Sequence, residues 1–287
     1  MSSTPARTPD EPILAVDGLK VSYRGQHGFV DAVRDVSFTV GREKVGIVGE
    51  SGSGKSTIGR ELLKLLPTAR ISAREMRFDG IDLAAATERD MLAIRGRRMS
   101  MILQDPKYSL NPVKRVGDQI AEAYLVHHRV ARAEAKKRAV AMLDAVRIRE
   151  PEKIYDLYPH EVSGGMGQRI MIAMMLIPEP DLVIADEPTS ALDVTVRLQV
   201  LRILDDLVSR RGIGLVFISH DLNLVRAFCD RVLIMYSGRI VESIAAKDLR
   251  NAAHPYSRGL LAAQPHIGGP RLPLPVLQRD PAWSAGS

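Results

Sequence analysis

The chain has 287 residues, 45% of them hydrophobic, with 40 Lys+Arg against 34 Asp+Glu for a net charge of +6. That length holds one large domain, or one domain with a subdomain, and a charged fraction of 26% excludes a wholly disordered chain. A single cysteine, Cys229, excludes an internal disulfide and any cluster held by several cysteines.

The first 12 residues carry Ser, Thr and Pro without an apolar stretch, so they read as a loose leader and not as a secretory signal. The run Val45–Val48 reads as a buried strand, and Ile58, Leu62, Leu65 and Leu66 form a helical stripe expected to run until Pro67. Met99–Leu103 is a second strand-like run. From about 114 to 160 strand-like runs are missing, and Ala131 to Arg147 reads as a basic amphipathic helix with Val140, Leu143 and Val146 on one side. This stretch is expected to be a helical subdomain inserted between two strands of a sheet. Ile170 to Ile177, closed by Pro178, is the longest strictly apolar run. It is far short of the roughly 20 residues of a spanning helix, so the chain is read as soluble and cytoplasmic.

Leu182–Ala185 and Leu215–Ile218 are further buried-strand runs, and Val200, Ile203, Leu204 and Leu207 mark a helix between them. Val232–Tyr236 and Arg239–Glu242 flank Ser237-Gly238, a two-residue hairpin signal. Residues 265–287 hold five prolines and three glycines and are expected to be a loose tail. Strands alternating with helices indicate an α/β fold with a largely parallel sheet. The positive charge suits nucleic acid, nucleotide phosphates or an anionic membrane face, and suits a plain solvated surface as well.

Gly49-Glu50-Ser51-Gly52-Ser53-Gly54-Lys55-Ser56 fits G-x-x-x-x-G-K-[ST], with a strand before it and a helix after it. Glycines let successive N–H groups converge on phosphate oxygens, and the helix N-terminus adds partial positive charge. Lys55 would reach the β- and γ-phosphates and Ser56 would ligate Mg²⁺. This motif alone implies only a bound nucleoside triphosphate. Leu182–Ala185 then delivers Asp186 and Glu187 to the phosphate end of the sheet. Asp186 suits Mg²⁺ and Glu187 suits the attacking water. Ser163-Gly164-Gly165, opening an apolar helical stretch, makes a second anion site of the same kind. Two such sites in one chain suggest that each is completed by a partner chain.

The order of these motifs resembles the ATP-binding subunits of ABC transporters over about residues 13 to 264. The resemblance implies a P-loop NTPase fold of the ABC type: a mixed sheet core, an N-terminal antiparallel β region and an inserted α-helical subdomain. It divides the chain into a leader (1–12), an ATPase domain (13–250, with the helical subdomain and signature at about 114–165) and a C-terminal extension (251–287). ATP and Mg²⁺ are the implied cofactors. Tyr23 is similar to the adenine-stacking aromatic, Gln104 to the Q-loop glutamine, Asp193 to the D-loop aspartate and His220 to the switch histidine. Nucleotide contacts would come from Tyr23, from Gly49 to Thr57, and from Ser163, Gly164, Gly165, Met166 and Asp193. Glu187, His220 and Gln104 would be catalytic, and Ser56, Gln104 and Asp186 would hold the metal. Read without the resemblance, Tyr23 also fits an ordinary strand aromatic, Gln104 a loop amide, and His220 a histidine bonded only to backbone.

Gln104-Asp105-Pro106, Ser109-Leu110-Asn111-Pro112, Tyr158-Pro159-His160 and His254-Pro255-Tyr256 are similar to motifs of the oligopeptide and dipeptide importer branch. That branch implies a second ATPase subunit, two membrane permeases, an extracytoplasmic binding protein and a peripheral place on the inner membrane's cytoplasmic face. Peptide is the leading cargo; nickel, opines and glutathione are alternatives, and an ABC ATPase acting on nucleic acid is a more distant one. Gly167 and Val162 depart from the branch, which usually has arginine and leucine there. The branch often carries tail cysteines that hold an iron–sulfur cluster; none stands in this tail, so no cluster is expected.

Overall fold

The computed structural model describes residues 11–263 together with Asp280 and Trp283. Apart from residues 11, 12, 280 and 283, the leader expected over 1–12 and the tail expected over 265–287 lie outside the described residues. The chain opens with a long antiparallel ribbon, β1 (Leu14–Gly25) and β2 (Gly28–Val40). It continues through β3 (Lys44–Gly49), α1 (Lys55–Leu62), β4 (Arg70–Ser72), β5 (Glu75–Phe78), β6 (Ile81–Asp82), α2 (Glu88–Ile94) and β7 (Met99–Ile102). Four helices follow before the next strand: α3 (Val116–Leu125), α4 (Arg132–Ala145), α5 (Pro151–Tyr155) and α6 (Gly164–Leu176). Then come β8 (Leu182–Asp186), α7 (Val194–Arg211), β9 (Gly214–Ser219), α8 (Leu222–Phe228), β10 (Arg231–Tyr236), β11 (Arg239–Ala245) and α9 (Pro255–Ala262).

One sheet is antiparallel, in the order β2-β1-β5-β6 with β4 also on β1. The other runs β11-β10-β3-β9-β8-β7, parallel throughout except for β11. Period-two alternation gives each parallel strand two buried faces. Val183, Ala185, Leu215, Phe217, Val232 and Ile234 point into a core shared with α6, α7 and α8. Leu182, Ile184, Val216, Ile218, Leu233 and Met235 point into a second core with α1 and the antiparallel sheet. These strands therefore read as unbroken apolar runs, and their C-terminal ends all lie on one edge. Because β7 and β8 are adjacent (Met99↔Leu182), the intervening helices leave and rejoin neighbouring strands.

The helix after Lys55 is shorter than its apolar stripe predicts. It stops at Leu62, where Lys64 turns left-handed (φ 50°). Lys64 N–H donates to Glu61 O and Leu65 N–H to Arg60 O, the paired bonds of a Schellman stop. Lys64 Nζ then donates to Ala84 O and Ala86 O, which holds that turn in place. Leu65 is left 45% exposed and does not join the helix face.

On the inner face of α1, Glu61 is fully buried, and neither carboxylate oxygen has a hydrogen-bond partner among the described residues. Burial pushes its carboxyl up to about 7, with nearby Lys64 pulling the other way. The folded state thus holds the proton more tightly than the unfolded chain does, so stability falls as pH rises from near 4.5 to about 7 and is level above. Glu61→Gln should flatten that slope and raise the melting temperature at pH 8 by a few degrees, from roughly 1–2 kcal/mol. Thermal melts of both chains across pH 5 to 8 check this; parallel profiles would refute it.

Candidate functional site

β3 delivers the phosphate loop to the C-terminal edge of the parallel sheet, and α1 leaves from Lys55. A Cβ on Gly49 would stand 2.2 Å from the Met235 carbonyl oxygen, so only glycine lets the loop lie against β10. Gly54 takes φ 99° at the helix entry, where a Cβ would meet Ala32 O of β2 at 2.4 Å. The β10–β11 turn adds a further tie, since Gly238 N–H donates to Ser53 O (3.1 Å).

Lys55 is buried inside this loop, its Nζ donating to Gly49 O (2.9 Å) and Glu50 O (2.8 Å). Burial lowers its pKa from the ordinary lysine value, while Glu187, Asp186 and Glu50 oppose that drop. One helical step on, Ser56 Oγ donates to Asp186 Oδ1 at 2.7 Å. Asp186 closes β8 and is buried; desolvation raises its pKa, and the Ser56 bond restrains the rise. A hydroxyl and a carboxylate are hard oxygen donors that fit a divalent cation also held by phosphate and water. Among the described residues no cluster of three or more His, Cys, Asp and Glu is placed to hold a metal ion.

Glu187 follows with φ 48°, a left-handed conformation unusual for a glutamate, fixed by Glu187 N–H donating to Ile218 O and by Ser190 Oγ donating to Glu187 O. Its Oε1 lies 3.2 Å from His220 Nδ1, which follows β9. Gln104 stands two residues beyond Ile102, the end of β7, which pairs with Ala185, and its side chain is exposed. Tyr23 is half-buried on β1 opposite Val30, on the ribbon that also carries Ala32 to Gly54. Thr57 lies on the first turn of α1, and Glu50, Ser51 and Gly52 form the loop's outer bend.

Ser163 caps α6, its Oγ accepting from Met166 N–H (3.4 Å), and both Ser163 and Gly164 are exposed. Gly165 lies against Val196, where a Cβ would approach to 2.6 Å. Gly167 is buried against Pro106, 3.6 Å from the position of a Cβ, so the glycine that departs from the importer pattern packs on the Gln104 loop. Asp193 caps α7 by accepting from Thr195 and Val196 N–H (both 3.0 Å). The loop, Asp186, Glu187 and His220 are thus brought together, while Ser163 to Met166 stand on a helix whose end faces solvent. A cavity of about 740 Å³ beside α6, lined by Arg147, Arg169 and Arg202 among others, contains none of the phosphate-loop residues.

One contact at the loop escaped the sequence. Glu50 N–H donates to the hydroxyl of fully buried Tyr256 at 3.3 Å. From the residues, His254-Pro255-Tyr256 reads only as a turn with an aromatic anchor, and no local signal ties it to the loop.

Residues 33–190 match the ABC transporter family. A probable peptide ABC transporter ATP-binding protein of Sinorhizobium fredii is 49% identical over 257 residues, 88% of this chain and 77% of that protein. The oligopeptide transport ATP-binding protein OppD of Salmonella typhimurium is 44% identical over 268 residues, 93% of this chain and 80% of that one. Among solved structures, an ABC transporter subunit of Clostridium perfringens superposes with TM-score 0.72 at 25% identity, covering 84% of this chain and 92% of its own. A dimeric ATP-binding cassette bound to ADP and phosphate gives the same TM-score at 24% identity, over 82% of this chain and 99% of its own, a likeness of fold. Identity of this size across so much of both chains leaves no room for a chance match, and the chain belongs to the ABC transporter family, among its ATP-binding proteins.

Proposed function

We propose that the chain binds and hydrolyses ATP to power import of peptides through a binding-protein-dependent transporter. The observation that carries the chemistry is the Ser56–Asp186 hydrogen bond at the mouth of the loop that holds Lys55. The cargo rests on the peptide-transport names of relatives 44–49% identical to the chain. In this reading the N–H groups of the loop from Gly49 to Thr57, apart from that of Glu50, which is held by the Tyr256 hydroxyl, cradle the phosphates, Lys55 neutralises them, and Tyr23 stacks on adenine. Ser56, Asp186 and Gln104 would hold Mg²⁺, which would supply charge neutralisation to the phosphates. Glu187 orients and polarises the attacking water, with His220 and Gln104 beside it. The rest is positioning and electrostatics, as phosphoryl transfer generally is.

A second ATPase subunit presents its serine-capped helix end to this γ-phosphate, and Ser163, Gly164, Gly165, Met166 and Asp193 do the same for the partner's nucleotide. The exposure of Ser163, Gly164 and Asp193 supports this, as do exposed Val194 and Leu198, one turn apart beside Asp193. Closure of the pair moves the helical insert over 114–165, and the Gln104 loop passes that motion to two permease subunits at the cytoplasmic face of the inner membrane. Among the described residues no helix is long and apolar enough to cross a membrane.

The test is co-purification with two permeases and a second ATPase, reconstitution with the binding protein, and ATP hydrolysis measured against candidate solutes. Peptides are expected to stimulate turnover several-fold over nickel, opines or glutathione. Stimulation by one of those solutes alone would overturn the peptide assignment, and failure to assemble with any permease would overturn transport.

A further inference from the structure

The C-terminal extension reaches the phosphate loop through a short chain of aromatic contacts. α9 is capped by His254, whose Nδ1 accepts from Tyr256 N–H (3.2 Å), and Glu242 of β11 accepts from Ala253 and His254 N–H. These bonds fix the first turn of α9 and lock Tyr256, which has no exposed surface. The Tyr256 ring lies 4.5 Å from Tyr236 at the end of β10, the strand whose Met235 carbonyl presses on Gly49. Trp283 stands edge-on to both rings, 5.9 Å from Tyr236 and 6.0 Å from Tyr256, and also faces His254. From inside this cluster the Tyr256 hydroxyl accepts from Glu50 N–H, the second residue of the loop.

We propose that Tyr256 is a positioning residue for the phosphate loop, and that it couples nucleotide binding to the packing of Trp283 against Tyr236 and Tyr256. The proposal rests on the reading of this loop as the ATP site. Glu50 follows Gly49, ahead of the turn into α1 that carries Gly54, Lys55 and Ser56. A bond there holds the entry of the loop without competing for phosphate. Lys55 Nζ donates to the Glu50 carbonyl, so the peptide units on either side of Glu50 are held by Tyr256 and by the phosphate-binding lysine. Any nucleotide-driven shift of Lys55 is felt at that residue and passed to the aromatic cluster. Coupling of this kind is reciprocal: Trp283 packing that stiffens the loop favours nucleotide, and bound nucleotide favours that packing.

Tyr256→Phe removes the hydroxyl and keeps the ring. With the full-length chain and magnesium plus a non-hydrolysable ATP analogue as probe, its affinity should fall roughly three- to tenfold, the effect of one neutral hydrogen bond. In hydrolysis assays the change should fall on KM for ATP and leave kcat near the parent value, a split that loose packing would not give. Trp283 is the only tryptophan of the chain, so its emission and acrylamide quenching report its packing directly. Analogue should shift that signal in the parent and much less in Tyr256→Phe, and Trp283→Ala should weaken affinity in the same direction. Parent-like affinity in Tyr256→Phe, or a Trp283 signal indifferent to bound analogue, overturns the proposal. Lys55→Ala, titrated alongside, separates the failures: if that variant still binds as the parent does, the ATP reading of the loop has failed instead.

Discussion

Glu187→Gln is expected to bind Mg–ATP as tightly as the parent, to accumulate as a closed pair of subunits, and to hydrolyse ATP about 10²- to 10⁴-fold more slowly. The geometry isolates what the change removes. Glutamine keeps an oxygen that can face His220 Nδ1, now 3.2 Å from Glu187 Oε1, so the histidine keeps a partner. The backbone is held by Glu187 N–H to Ile218 O and by Ser190, neither of which involves the carboxylate. The left-handed φ of 48° costs glutamine about what it costs glutamate. What is lost is a negative charge and a proton acceptor at the point where water would attack the γ-phosphate. Loss of the charge also lessens repulsion between the strand end and the phosphates, which favours the nucleotide-bound, closed state. Phosphate release at saturating Mg–ATP measures the first effect, and light scattering with and without ATP measures the second. Hydrolysis at the parent rate would remove Glu187 from its proposed role.

The placement of the candidate site's residues at strand and helix ends was legible in the sequence because its signals are local. Each strand that carries a site residue is a largely apolar run covered on both faces, so its end is marked where polar residues set in: Gly49-Glu50, Gln104, Asp186-Glu187 and Ser219-His220. The serine cap of α6 and the Ser237-Gly238 turn (φ 46° and 84°) follow from neighbouring residues in the same way. The less legible features have non-local causes. Three register shifts in the β1–β2 pairing break the period of two that would have marked that ribbon. The end of α1 is fixed by Lys64 reaching Ala84 and Ala86, some twenty residues further on. Glu61 sits on an apolar helix face, where its burial depends on the sheet beneath it. The Tyr256–Glu50 bond spans 206 residues, and no window along the chain contains both partners.

Lys55→Ala should abolish tight nucleotide binding, with a loss of roughly 10²- to 10³-fold in affinity for Mg–ATP. Asp186, Glu187 and Glu50 all act electrostatically on the ammonium, so without it the loop faces an incoming triphosphate with carboxylates and no cation of its own beyond the backbone dipoles. A unit charge at contact distance is worth about 4 kcal/mol at the effective dielectric of a partly buried site, and that sets the size of the loss. The ammonium also ties the Gly49 and Glu50 carbonyls, so a structural explanation has to be separated from an electrostatic one. The sign of the stability change does this. Burial already works against the charged lysine, so its removal should leave the nucleotide-free melting temperature near the parent value or above it. The rise in melting temperature that ATP gives the parent should vanish. A titration in which Lys55→Ala binds ATP within threefold of the parent would contradict the phosphate assignment. A collapse of the nucleotide-free melting temperature would mean that the lysine holds the loop together and does not mainly read its ligand.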